Sequence, residues 1–138
     1  MATGDLPIEN PAQGVLVVRY EWPDQLEPQW QQAVVEAVGV QSAFGPVGLL
    51  FILAPRICVL APNVRVFWRT VVRNPQLRIA ALAVVTASWA VEVETQGFEI
   101  TNALSGRDLR VATFRQEAAA RAWVLQVVRP EHEARQPA

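Results

Sequence analysis

The chain contains no lysine: all twelve of its basic residues are arginine. Set against thirteen acidic residues they leave a net charge of −1, so no overall basic field exists to draw in nucleic acid. All-arginine usage reads first as the codon bias of a GC-rich genome and only then as chemistry. Cysteine occurs once, at Cys58, which excludes an internal disulfide and fits a reducing compartment. Histidine also occurs once, as His132, between Glu131 and Glu133 in a polar ending. A lone His on a tail supplies neither a metal-ligand set nor a positioned base for a Ser or Cys nucleophile. The longest apolar runs, "VGLLFILA" and "IAALAVV", hold eight and seven residues, whereas a membrane span needs about 20. The opening "MATGDLPIENPAQG" has Asp5 and Glu9 but no positive segment ahead of an apolar run, which is not a signal-peptide pattern. A cytoplasmic location is the expectation. No glycine-rich phosphate loop follows any strand: the turns read "EWPDQ", "PRICV" and "TASWA". No nucleotide, metal or other cofactor is expected.

What the sequence does have is apolar residues. They make up 51% of a chain of 138, with 18% charged, enough for one domain with a real core. Residues 1–13, rich in Pro, Gly and polar groups, read as a flexible arm. In "GVLVVRYEW", 14–22, Val15, Val17 and Arg19 alternate with Leu16, Val18 and Tyr20, the period of a strand. A helix follows, opened by Pro28 or capped earlier by Asp24, with Trp30, Val34 and Val38 on one stripe. "LLFILA", 49–54, is apolar without alternation, as a strand covered on both faces would be. Val64, Phe67, Trp68, Val71 and Val72 recur at helical spacing until Pro75. "LRIAALAVV", 77–85, is the next strand.

Ser88 is positioned to cap a helix over 89–104, with Ala90, Val93, Gly97, Ile100 and Leu104 on its inner face. The rival reading of that segment is a strand, because "AVEVET" also alternates. "LRVATF", 109–114, is the last strand. "RQEAAARAWVLQVV" is the last helix, with a Glu117–Arg121 pair at i, i+4 and Pro130 as its stop. A polar tail, 130–138, ends the chain. The order β-α-β-α-β-α-β-α predicts an α/β domain: a four- to five-stranded, largely parallel or mixed sheet with packed helices over 14–129.

Chemistry-bearing residues are sparse. Cys58, in "ICVL", reads as a small buried hydrophobe. The carboxylates are scattered, and Glu92, Glu94 and Glu99 read as a solvated helix face. No catalytic pair converges, so an enzyme is not expected. Arg65, Arg69 and Arg73, at i, i+4, i+8 on the second helix, form a cationic stripe that suits an acidic partner, or else a plain solvated face. Val91 and Phe98 form a small exposed apolar patch if 89–104 is helical, and Val91 turns inward if it is a strand.

Taken together, "GVLVVRYEW", "LLFIL", "RIAALAVVTAS" and "RVATFRQEAAARAW" resemble the STAS-like domains, relatives of the bacterial anti-sigma-factor antagonists, over roughly 14–128. The resemblance implies a small mixed sheet with helices against it and a task in protein–protein regulation without catalysis. It also implies a partner-controlled Ser at the start of the helix after the second long strand. This chain has no Ser or Thr from Phe51 through Trp68, so the phosphorylation switch does not carry over. The leading expectation is a non-enzymatic interaction module that meets another protein or a second copy through Arg65, Arg69 and Arg73, or through Val91 and Phe98. The alternative is a binder of a small apolar ligand lodged near Trp68, Trp89 and Trp123.

Overall fold

Period-two alternation in residues 15–20 sends Leu16, Val18 and Tyr20 into one apolar cluster and Val15 and Val17 into another, so the sheet is covered on both faces. A computed structural model of the protein describes residues 8–12, 14–22, 28–92, 95–96 and 109–135. Its elements are β1 (Ile8–Ala12), β2 (Val15–Tyr20), α1 (Pro28–Ser42), β3 (Val47–Leu53), α2 (Pro62–Arg73), β4 (Ile79–Val85), β5 (Arg110–Phe114) and α3 (Glu117–Arg135). Residues 89–92 and 95–96 are also helical. The sheet runs β1-β2-β3-β4-β5 in sequence order; β1 is antiparallel to β2, and β2 to β5 are parallel.

This is the small α/β domain that strand–helix alternation predicts. Successive crossovers step in one direction along the sheet, so α1, α2 and the helical turn at Val91 share one face with Leu16, Leu49 and Leu82. Helix α3 follows the last strand and takes the opposite face.

The two faces are packed differently. Under α1 and α2 lie large rings: Phe51 and Trp68 are 4.4 Å apart between centroids, and Trp30 stands edge-on to Trp68 at 5.9 Å. Trp68 Nε1 donates a 2.5 Å hydrogen bond to the Tyr20 hydroxyl, both buried. Under α3 the residues are small, with Ala81, Ala83 and Ala120 fully buried, and Gly48 lies directly beneath Val124. Small residues let the helix axis approach the sheet closely.

Burial raises the Tyr20 phenol well above its ordinary range, and the Trp68 bond only partly opposes this. A raised folded-state value means stability is intact below the unfolded value, about pH 10, and is lost as pH climbs beyond it. Tyr20 is the only tyrosine and the chain has no lysine, so this one phenol dominates the alkaline limb. Denaturant unfolding between neutral and strongly alkaline pH should show falling stability above about pH 10. Tyr20→Phe should be less stable at neutral pH, because it orphans the Trp68 N–H, and nearly pH-independent over that range. An equally steep alkaline loss in the variant would refute the assignment.

Several boundaries differ from expectation. The arm expected over 1–13 includes a strand: β1 adds to the edge of β2, where Pro11 is tolerated because an edge strand has one side without ladder bonds. Helix α3 does not stop at Pro130 but runs on through Arg135, so the polar tail begins later than 130. A proline inside a helix costs a hydrogen bond and kinks the axis without necessarily ending it.

Candidate interaction surface

All parallel strands end at the same edge of the sheet, and four loops gather there: 21–22 after β2, 54–61 after β3, 86–88 after β4 and 115–116 after β5. In the "APRICV" loop, Ile57 closes a turn onto the Ala54 carbonyl at 2.9 Å and fills the core. That anchoring turns its neighbours outward. Cys58 is exposed, which corrects the expectation of a buried hydrophobe: Ile57 takes the inward position instead. Val59 is 46% exposed beside it.

Four contacts join these loops into one surface. The Arg56 guanidinium lies 4.3 Å from the ring centre of Trp22, and its Nη2 pairs with Glu21 at 3.1 Å. Its Nε donates to the Glu21 carbonyl at 3.0 Å, so two hydrogen bonds hold the guanidinium over the ring. Ser88 donates its hydroxyl to the Cys58 carbonyl at 2.6 Å, tying the loop after β4 to the loop after β3. The same hydroxyl accepts the Val91 N–H at 3.3 Å, so Ser88 is the cap the sequence suggested. Trp89 follows it, 75% exposed, and Trp22 is 57% exposed. The edge thus presents Trp22 against Arg56, Val59 on the Arg56 loop and Trp89 beside the Ser88 tie, with Arg115 and Glu92 paired at 3.3 Å.

Ion pairs cluster at this end of the molecule. Glu117, in the first turn of α3, accepts from Arg19 at 3.0 Å and Arg121 at 2.6 Å. Hydrogen bonds from Arg19, then from Arg121, hold its carboxyl below the usual range. The group is more than a third exposed, so salt screens much of this. No three His, Cys, Asp or Glu side chains gather as metal ligands among the described residues. No helix among them is long and apolar enough to cross a membrane.

The expected site residues are scattered. Arg65 is half-buried while Arg69 and Arg73 are exposed. Steps of four residues advance the stripe about 40° each around the helix, so Arg65 borders the Val64–Trp68 core face and Arg73 points away from it. Val91 is 6% exposed and belongs to the core although its segment is helical, so the exposed Val91 patch is not formed. Ala90, expected inside, is exposed: the helix is rotated by one residue from the phase its apolar spacing proposed. Phe98 lies outside the described residues, as do Glu94, Glu99 and most of the expected 89–104 helix. The three tryptophans of the ligand reading do not converge. Trp68, on α2, is buried against one face of the sheet, Trp123, on α3, packs with its ring tilted against Phe114 at 5.7 Å on the other, and Trp89 is in solvent. His132 falls within the backbone of α3 rather than on a tail.

Trp22 and Val59 are the residues that sequence reasoning missed. Trp22 continues the alternate positions of Leu16, Val18 and Tyr20 beyond the end of β2, so spacing alone assigns it to the core, whereas Val59 follows a strand-anchored turn outside any amphipathic period. No known family, curated protein or solved structure matches this chain.

Proposed function

We propose that this chain is a non-enzymatic, cytoplasmic protein–protein interaction module of STAS-like type, whose partner docks on the carboxyl edge of the sheet. The observation that carries the reading is the exposure of Trp22, held against a fixed Arg56, and of Trp89, next to the Ser88 that ties its loop to the Arg56 loop. Trp and Arg are the residue types that dominate binding energy at protein interfaces. Holding two indoles and a valine in water costs stability that partner burial recovers. The edge is also where the resembled family carries its regulatory Ser. Arg56 enters prepositioned, so little side-chain entropy is lost on binding. The mixed sheet with packed helices fits the resemblance as well.

Arg69 and Arg73 lie on a different face, and their role in this reading is electrostatic steering of an acidic partner. The test is quantitative affinity capture from extract of the native cell, with native mass spectrometry of the purified chain for self-association. The Trp22→Ala, Trp89→Ala double variant should lose the captured species, or the dimer, while keeping its thermal transition. Alanine at Arg65, Arg69 and Arg73 should leave the complex formed but lower its association rate and salt sensitivity. An unchanged complex in the double-Trp variant would overturn the placement of the docking surface.

A further inference from the structure

At the opposite edge of the sheet lies a groove of about 590 Å³, within the size range of small-molecule sites. It exists because the strands start out of step. The first residue of β5, Arg110, pairs with Ala81, so β4 projects beyond β5 by Ile79 and Ala80. The register with β3 also shifts there: Val47 pairs with Ile79 but Gly48 pairs with Ala81, which makes Ala80 a bulge. Bulges recur where a strand end is re-aimed at a ligand. The end of α2 closes one side of the step with Asn74, and α3 closes the other with Val127.

We propose that this groove binds a small amphipathic anion, a carboxylate or phosphate monoester on a short apolar body. Arg110 supplies the charge for the head, and Ile79, Leu109 and Val127 in the lining supply apolar contacts for the body. The main chain of Arg78 is fixed on both sides: its N–H donates to Ser42 Oγ at 3.1 Å and its carbonyl accepts the Val47 N–H at 2.6 Å. Arg110 is exposed and pairs with no carboxylate among the described residues. Among the described residues, the carboxylates that form ion pairs, Glu21, Glu92 and Glu117, stand at the far edge. The partial negative charge at the end of α2 is met by Arg73 in its last turn. A guanidinium is suited to either head because its planar fork matches carboxylate and phosphate oxygens alike.

The experiment is isothermal titration of the full chain with octanoate, octyl phosphate and uncharged octanol. Both anions should bind, and octanol should bind at least about tenfold more weakly, the factor that one charge-assisted contact commands. Arg110→Ala should weaken octanoate by about tenfold, and Arg110→Lys should restore part of it as a point charge. The thermal transition of both variants should match the wild type, since Arg110 is on the surface. The Trp22→Ala, Trp89→Ala variant should bind octanoate normally, which separates this site from the docking surface. Absence of binding by either anion would overturn the proposal. So would equal affinity for octanol and octanoate, or an octanoate affinity unchanged in Arg110→Ala.

Discussion

Trp68→Ala is expected to destabilise the protein by about 3–5 kcal/mol, the range for removing a fully packed aromatic ring. The indole is 5% exposed and packs against Phe51, Trp30 and Phe67 at centroid distances of 4.4, 5.9 and 5.0 Å. Its loss leaves a cavity on the aromatic face of the sheet. It also strips the Tyr20 hydroxyl of its buried N–H donor. A domain of this size is stable by roughly 5–15 kcal/mol in total, so the variant should sit near its folding threshold. Trp68→Phe keeps ring packing but not the N–H, and should cost markedly less. Denaturant unfolding followed by circular dichroism measures both. Equal losses in the two variants would mean that the hydrogen bond, not the ring, holds this face together.

Gly48→Ala is the second substitution with a large expected effect, and for the opposite reason. A Cβ built on Gly48 would fall inside the contact distance of Val124 Cγ1 and 3.3 Å from Val128 Cγ1. Valine is stiff at χ1 and α3 is held against the sheet by Ala120, Val124 and Val128, so neither methyl has an easy escape. Overpacking of this kind costs about 1–3 kcal/mol, occasionally more. The compensating change is Val124→Ala, which alone opens a small cavity. The double variant should be more stable than the sum of the two single losses allows, because each relieves the other's defect. Additive losses would show that α3 does not lie on Gly48 as described.

Much of this architecture was legible from residue spacing. The alternation of Leu16, Val18 and Tyr20 with Val15 and Val17 fixed both faces of β2, and the Val64–Val72 period fixed the inner side of α2. Apolar content read correctly wherever a segment was covered on both sides. It failed where apolar residues face water. Spacing alone assigned Ala90 to the core and Val91 to the surface, and the structure exchanges them. The phase of that helix is set by the Ser88 cap and its bond to Cys58, a long-range contact that no local period contains. Cys58 was placed in the core for a similar reason, since a turn chooses which of two apolar neighbours points inward, and here that neighbour is Ile57. Strand β1 was hidden by its Pro and polar residues, which a sheet edge accepts. The docking surface was least legible, because Trp22, Arg56, Val59 and Trp89 come from three separate loops that only the parallel sheet brings together.

Amide hydrogen exchange of the chain with and without its captured partner tests the docking surface most directly. Protection confined to residues 21–22, 54–61 and 86–89 is the expected result. Protection on the Arg69–Arg73 side of α2 or along the groove at Arg110, with those loops exchanging as in the free chain, would contradict it.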